Sequence, residues 1–210
     1  MTPQPARVAV VGHGCVAASF QTALAALPIR VAVVEPADAA RVNADVVVLA
    51  TGSFALDAEN LVAAAARNAP SVAWVVRRLD EAVPHAVLVI ASPPAALTTR
   101  IAIDVSTRSS ERIVGVGGPR RDQADRVVQV VAAILSDRGE VQEVCATAPR
   151  SYAVGDVVLE LPCALGRDGV RERHSVERTA DEQLGLAVTA ATLRAAYETL
   201  VGGAAAVSPV

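Results

Sequence analysis

Short apolar runs, each bounded by proline, glycine or charged residues, recur along the first half of the chain. The runs RVAVVG, IRVAVVEP, ADVVVLATGS, HAVLVIASPP and RIVGVGG begin at residues 7, 29, 44, 85 and 112. Valine-rich runs of this length predict strands buried on both faces. The segment CVAASFQTALAAL after the first run and residues 56–82 after the third have helical spacing. Strands that alternate with helices predict an α/β fold built on a doubly wound parallel sheet.

The pattern changes after residue 136. The segments EVQEVCATA and DVVLELPCALGRDGVRERHSVE, beginning at residues 140 and 156, predict antiparallel strands with turns at Gly155, Gly166 and Gly169. The next segment, TADEQLGLAVTAATLRAAYETL, predicts a C-terminal helix. Thr179 is its expected N-cap, and Glu182, three residues later, completes a capping box.

Composition limits the class of protein. Of 210 residues, 52% are hydrophobic and only 2% aromatic, so alanine and valine fill the core. A net charge of −3 predicts no nucleic-acid or membrane-surface partner, and no uncharged apolar run is long enough to span a bilayer. Cys15, Cys145 and Cys163 are far apart and lack metal-ligand spacing. We therefore expect no metal site, and reduced thiols in the cytoplasm.

A glycine pattern follows the first predicted strand. Gly12, Gly14 and Ala17 form G-x-G-x-x-A where that strand meets a helix. This arrangement brings a pyrophosphate close to the backbone at the helix N-terminus, as in Rossmann folds. Glu35 ends the second strand, where an acid accepts a ribose hydroxyl and repels a 2′-phosphate, so NAD is favoured over NADP. The alternative is that the glycines only form a tight turn in an inherited fold whose cleft is empty.

Several stretches resemble the lactate/malate dehydrogenase family. NADVVVLATGS resembles the family's DADVVVITAG, RIVGVGG resembles RVIGSGT, and residues 132–193 are similar to the family's terminal segment. The resemblance covers residues 7 to 200. It implies a Rossmann-like fold, NAD as cofactor, and Thr51 and Gly52 beside that cofactor. It also implies two units, a dinucleotide-binding domain over residues 1–118 and a reduced C-terminal α+β domain over residues 119–210 packed on it.

The chain departs from the family pattern where the family carries its chemistry. GVGG runs almost directly into a helix, so residues 118–122 are interpreted as the scar of an internal deletion. The family's GEHGD histidine and its substrate arginine lie in the missing segment. None of His13, His85 and His174 has an aspartate at the family's spacing. The family's NPVD is SPPA here, so Ser92 replaces an asparagine that would touch nicotinamide and substrate.

Three residues are candidates for the remaining chemistry. Arg120 and Arg121 precede a helix at the edge where such folds bind ligands, and they can clamp a carboxylate or phosphate. The alternative is that they are solvated loop charges, with Asp122 as the helix N-cap and Pro119 setting the turn. Ser92 can orient a carbonyl, or it can cap a strand end.

Three functions follow from these patterns. The first is a dehydrogenase-like protein repurposed for a non-redox reaction of the cyclase, lyase or isomerase type on a small metabolite in a specialised bacterial pathway. The second is an NAD-dependent oxidoreductase with a non-standard proton donor. The third is a non-catalytic binding protein that forms a homodimer through its apolar Ala/Val helices.

Overall fold

The structure is a computed structural model that describes residues 5–54, 60–149, 156–175 and 179–205. Within these ranges the strands are β1 (Arg7–Gly12), β2 (Arg30–Val34), β3 (Val46–Ala50), β4 (Val87–Ile90), β5 (Ile113–Gly115), β6 (Glu140–Thr147), β7 (Val158–Gly166) and β8 (Gly169–Arg173). The helices are α1 (Gly14–Leu24), α2 (Leu61–Ala82), α3 (Ala95–Val105), α4 (Arg120–Ser136) and α5 (Ala180–Ala205), with 3-10 turns at Pro36–Arg41 and Ser110–Arg112.

The strands form one sheet in the order β2-β1-β3-β4-β5-β6-β7-β8. The first five strands pair in parallel, which confirms the predicted Rossmann-like sheet. Its order reverses between β1 and β3, and doubly wound sheets bind their ligands outside the strand ends at such a point. The carboxyl ends of β1, β3, β4 and β5 therefore form the edge where a site is expected.

The edge strand β2 differs from a complete dinucleotide-binding fold, whose strand order is 3-2-1-4-5-6. Here the 3-10 turn Pro36–Arg41 leads from β2 to β3, which pairs with β1. No further strand covers β2 within the described residues, and three of its five residues are exposed. One strand of that order is therefore missing between β2 and β3 of the described chain.

Two apolar clusters cover the two faces of the sheet. On one face, α1 and α4 pack over Val10, Val48 and Val89. On the other face, α2 and α3 pack over Leu49 and the remaining strand residues. Side chains of adjacent positions alternate between the clusters because strand residues point to opposite faces. Valine and alanine dominate both clusters, as the composition predicts.

The sheet is continuous across residue 119. Gly115 of β5 lies opposite Cys145 of β6, and β6 pairs with β7 along its length in an antiparallel register. The β7–β8 hairpin turns between Gly166 and Gly169, as predicted, whereas the turn predicted at Gly155 lies outside the described residues. The division into domains 1–118 and 119–210 stays a proposal, and its two parts share one sheet.

Charged pairs gather at the amino end of the parallel strands, which we call the amino edge. Arg7 pairs with Asp45 at 3.4 Å, and Arg112 pairs with Asp168. Burial opposes ionisation of Asp45, but hydrogen bonds from Arg7 hold its pKa below the ordinary value. These contacts join the start of β1 to the start of β3, and the start of β5 to the β7–β8 hairpin.

A buried ion pair, Arg108 with Asp80, fastens the end of α2 to the loop after α3. Their charged atoms lie 3.1 Å apart, and the two side chains are only 2% and 7% exposed. The Asp80 carboxylate also accepts hydrogen bonds from Ser106 Oγ and the Thr107 backbone N–H. Burial lowers the pKa of Arg108 while Asp80 opposes that shift. Removal of either partner leaves a desolvated charge.

None of the three cysteines forms a disulfide bond in the described part of the chain. Burial raises the pKa of Cys145 to about 12 and that of Cys163 to about 11, so both stay protonated at neutral pH. The described ranges contain no group of three or more His, Cys, Asp or Glu side chains placed to hold a metal ion. Among the described helices, none combines the length and apolarity needed to cross a bilayer.

Candidate functional site

The predicted glycine pattern forms a tight turn between β1 and α1. A Cβ atom at Gly12 would lie 2.6 Å from the Ala50 carbonyl oxygen, so only glycine lets β1 pack this closely on β3. Gly14 has φ +66°, and nothing lies within 4 Å of the position its Cβ would take. The N-cap of α1, His13, makes no side-chain cap hydrogen bond. The protein leaves room beside Gly14 at the start of α1, where an anion can approach the helix N-terminus.

The two other residues of the predicted pattern lie on either side of this turn. Ala17 is 1% exposed and packs α1 onto the sheet, which is the role that the pattern assigns to a small third residue. Glu35 follows β2 and is exposed at the same carboxyl edge. Within the described chain its carboxylate has no hydrogen-bond or ion-pair partner. Glu35 is thus available to accept hydrogen bonds from a ligand.

An amide network orders the loops that follow β3 and β4. Asn68 of α2 is 1% exposed; its Oδ1 accepts from the Ser53 backbone N–H at 2.7 Å. Its Nδ2 donates to the carbonyls of Ser53 at 2.9 Å and Pro93 at 2.6 Å. Gly52 has φ +89°, and any Cβ there would collide with the Asn68 side chain. Asn68 therefore fixes both loops. This role is not visible in the sequence, because Asn68 is 15 and 25 positions from Ser53 and Pro93.

The structure places Ser92 and Thr51 at strand ends with no solvent exposure. The Ser92 Oγ accepts a hydrogen bond from the Thr51 backbone N–H at 3.1 Å and donates to the Leu49 carbonyl at 3.4 Å. Both contacts join the ends of β3 and β4. Of the two predicted roles for Ser92, this geometry favours the strand-end cap over a group that contacts substrate.

A second buried amide, Gln123 in the first turn of α4, bridges the ends of β4 and β5. Its Nε2 donates to the carbonyls of Ala91 and Val116, each at 2.9 Å, and the residue is 6% exposed. No motif or local spacing in the sequence marks Gln123. It lines a small cavity of about 220 Å³, which we call the edge cleft, formed by Phe54, Pro93, Pro94, Ala95, Gly117, Gly118 and Gln123.

The predicted arginine clamp is only partly described. Helix α4 begins at Arg120 with Pro119 as its N-cap, and the side chains of Arg120 and Arg121 lie outside the described part of the structure. The prediction that Asp122 caps this helix is wrong, because Asp122 lies inside the first turn. The backbone conformation of Pro119, with φ −58° and ψ 141°, starts the helix without a side-chain cap.

Arg126 of α4 is held by contacts with two carbonyl groups and one carboxylate. Its guanidinium donates to the Gly117 carbonyl at 2.8 Å and the Glu143 carbonyl at 3.0 Å, and it pairs with Glu160. These contacts join α4 to the loop after β5 and to the β6–β7 hairpin. Arg126 therefore fixes one wall of the edge cleft, and its charge is already paired.

The histidines do not meet at the edge cleft. His13 is exposed in the glycine turn, and His85 lies in the turn before β4, at the amino edge. Neither of these two residues makes a hydrogen bond or ion pair with a carboxylate in the described chain. His174 follows β8, and its backbone N–H donates to the Pro162 carbonyl.

A larger cavity of about 560 Å³ lies between α3, α5 and β7. Arg100 at its wall pairs with Asp104 and Asp156 at 3.0 Å each, and the Tyr197 hydroxyl donates to Asp104. The carboxyl edge combines open space at the start of α1, the unpaired Glu35 carboxylate and a cleft with mostly apolar walls. We place the candidate site at the carboxyl edge although its cleft is smaller.

Comparisons with known proteins agree with this architecture, although no family model matches the chain. The chain is 40% identical over 65 residues to an L-lactate dehydrogenase of Nitratidesulfovibrio vulgaris, covering 31% of the chain and 21% of that enzyme. It is 36% identical over 98 residues to a malate dehydrogenase of Halobacterium salinarum, covering 47% of the chain and 32% of that enzyme. The matches thus span about a fifth to a third of the relatives' length.

One solved structure shows how far the fold extends. Malate dehydrogenase from Archaeoglobus fulgidus, in complex with NADH, superposes with a TM-score of 0.82 and 16% identity, covering 92% of this chain and 99% of that one. At this identity the likeness concerns the fold alone. The predicted Rossmann-like class and the family resemblance are both confirmed.

Proposed function

We propose that this chain, a relative of the lactate and malate dehydrogenases, binds NAD along its carboxyl edge and acts on a small metabolite without hydride transfer. The observation that carries the binding proposal is the open space at Gly14, at the uncapped start of α1. A pyrophosphate at that position accepts hydrogen bonds from backbone N–H groups and is stabilised by the helix dipole.

The other predicted cofactor residues support the same placement. Glu35, exposed and unpaired after β2, is positioned to accept a ribose hydroxyl and to repel a 2′-phosphate, so we propose NAD rather than NADP. Thr51 and Gly52 follow β3, next to β1 in the sheet. The edge cleft lies at the ends of β4 and β5, which are roughly 10 Å and 14 Å from β1 across two and three strand spacings. The pyrophosphate and the nicotinamide ring of one dinucleotide can thus occupy separate positions along the carboxyl edge.

The proposal of a non-redox reaction rests on the groups around the edge cleft. Bound NADH would supply the hydride for reduction of a 2-oxo acid, but that reaction also needs a proton donor. In the described chain, the cleft is lined by apolar residues and by the Gln123 amide, and Arg126 beside it is paired with Glu160. We therefore keep the cyclase, lyase or isomerase class, with Arg120 and Arg121 as candidate contacts to the metabolite.

The homodimer is also a proposal. Leu184 and Val188 of α5 are 65% and 59% exposed, and they supply the apolar surface that self-association requires. Light scattering of the wild type and of Leu184→Lys tests it. A monomeric wild type contradicts the homodimer without affecting the binding proposal.

Two glycines provide a matched test of the dinucleotide site. Gly14 and Gly139 both have positive φ, +66° and +75°, and both have open space where a Cβ would stand. Gly139 follows α4, whose last turn lines a cavity at the amino edge. Because a Cβ should add similar backbone strain at the two positions, Gly14→Ala should weaken ADP-ribose and NADH binding about tenfold or more, and Gly139→Ala should leave both unchanged. Equal affinities of the two variants, measured by calorimetry, contradict the site.

A further inference from the structure

Gln123 has a hydrogen-bond acceptor that the protein does not use. Both partners of its side-chain amide are carbonyl oxygens, those of Ala91 and Val116. Only the NH2 end can donate to them, so chemistry alone fixes the orientation of the amide. The Oε1 atom therefore points away from these carbonyls. In the described chain no hydrogen-bond donor reaches Oε1, although the residue is only 6% exposed.

The surroundings of Gln123 indicate what kind of group can reach this oxygen. The edge cleft measures about 220 Å³, and its other walls are proline, phenylalanine, alanine and glycine backbone. A cavity of this size and polarity suits a flat ring-sized group that makes one hydrogen bond. A carboxylate is excluded as the bonding partner, because two acceptors repel and Arg126 at the wall is already paired with Glu160.

We infer that Gln123 is a specificity-determining residue whose Oε1 accepts a hydrogen bond from an amide or hydroxyl donor on the ligand group that fills the edge cleft. The donor has two sources, the carboxamide of a dinucleotide bound along the edge or a separate small amide. If the donor is the carboxamide of a bound dinucleotide, the inference rests on the proposed NAD site. The inference predicts that the cleft prefers a group that bears a hydrogen-bond donor.

Matched ligand pairs test this inference on the unmodified protein. The first pair is NAD and 3-acetylpyridine adenine dinucleotide, in which a methyl ketone replaces the carboxamide and removes the donor. The second pair is free nicotinamide and 3-acetylpyridine, titrated by ligand-observed NMR with and without saturating ADP-ribose. The amide member of at least one pair should bind about threefold to tenfold more tightly, the range expected for one neutral hydrogen bond.

The outcomes separate this inference from the proposed function. ADP-ribose binding with no preference in either pair overturns the role of Gln123 and leaves the dinucleotide site standing. Discrimination between the free amide and ketone without any ADP-ribose binding supports Gln123 and overturns the dinucleotide site. No binding of any of these ligands overturns both.

A variant pair on α4 confirms that the preference comes from this side chain. Gln123→Met keeps the length of the side chain but removes the acceptor, so it should abolish the preference while the affinity for ADP-ribose is retained. Gln129→Met, at an exposed position of the same helix, should change neither. Because Gln123→Met also removes two buried hydrogen bonds, the ligand pairs on the wild type decide the question where the variant does not fold. A preference that persists in folded Gln123→Met contradicts the inference.

Discussion

The two edges of the parallel sheet are held together by different chemistry. At the amino edge, ion pairs fasten strand starts and helix ends, with Arg108–Asp80, Arg7–Asp45 and Arg112–Asp168 as members. At the carboxyl edge, the strand ends are joined by neutral groups, namely the amides of Asn68 and Gln123 and the hydroxyl of Ser92.

This difference shows which edge is arranged for stability and which for binding. The paired charges at the amino edge have their partners within the protein. At the carboxyl edge the ends of β3 and β4 are joined by uncharged hydrogen bonds, the Arg126–Glu160 pair lies beside the edge cleft, and the Glu35 carboxylate remains available to a ligand. Substitutions at the amino edge should therefore change stability and leave binding intact, and those at the carboxyl edge should change binding as well.

The largest expected effect is at the buried ion pair. Asp80→Ala leaves the Arg108 guanidinium buried without its carboxylate and should lower the free energy of unfolding by about 3 to 5 kcal/mol. Chemical denaturation measures this change, and Glu81→Ala at the exposed neighbouring position should cost less than about 0.5 kcal/mol. NADH affinity of the folded Asp80→Ala protein should equal that of the wild type. A loss of NADH affinity would contradict the expectation that substitutions at the amino edge change stability alone.

A smaller loss of stability, combined with weaker binding, is expected for Asn68→Ala. The substitution removes three hydrogen bonds to the loops after β3 and β4, at a cost of about 2 to 4 kcal/mol. Because those loops border the edge cleft, NADH affinity should fall too. Asn60→Ala, which removes only the N-cap of α2, should cost about 1 kcal/mol. Calorimetry that finds unchanged NADH affinity for Asn68→Ala contradicts the role assigned to its network.

The smallest effect is a pH dependence at Asp45. Its folded-state pKa lies below the ordinary value of 3.8, so its pairing with Arg7 stabilises the fold above that pH and is lost as the pH falls through the folded pKa. The pair is partly exposed, so it contributes no more than about 1 kcal/mol. Melting temperatures of the wild type and Asp45→Asn should differ at pH 7 and converge below pH 3.8. A gap that widens in acid contradicts this assignment.

Features that depend on neighbouring residues could be predicted from the sequence. The turn at Gly12 and Gly14 is one, since its strand, glycines and helix are contiguous. The capping box of α5 is another: Thr179 Oγ1 accepts from the Glu182 backbone N–H at 3.3 Å, and the Glu182 carboxylate accepts from the Thr179 backbone N–H at 2.8 Å. The positions of the strands could be predicted for the same reason, because a strand buried on both faces is apolar along a continuous run of residues.

Features that depend on distant residues could not be predicted in this way. Gln123 bonds Ala91 across 32 positions, and Arg126 bonds Glu160 across 34, so neither partner is marked by local spacing. β2 is exposed because it lies at the edge of the sheet. The strand order that puts it there depends on pairings between strands far apart in sequence. Ser92 was recognised as a replaced asparagine, but its burial between strand ends required the strand order.

A titration of NADH against the wild-type protein, followed by addition of pyruvate and then oxaloacetate while absorbance at 340 nm is recorded, tests the central claim most directly. The account predicts saturable binding of NADH at one site per chain and no oxidation with either acid. Absence of binding would contradict the dinucleotide edge, and steady oxidation of NADH would contradict the loss of hydride transfer.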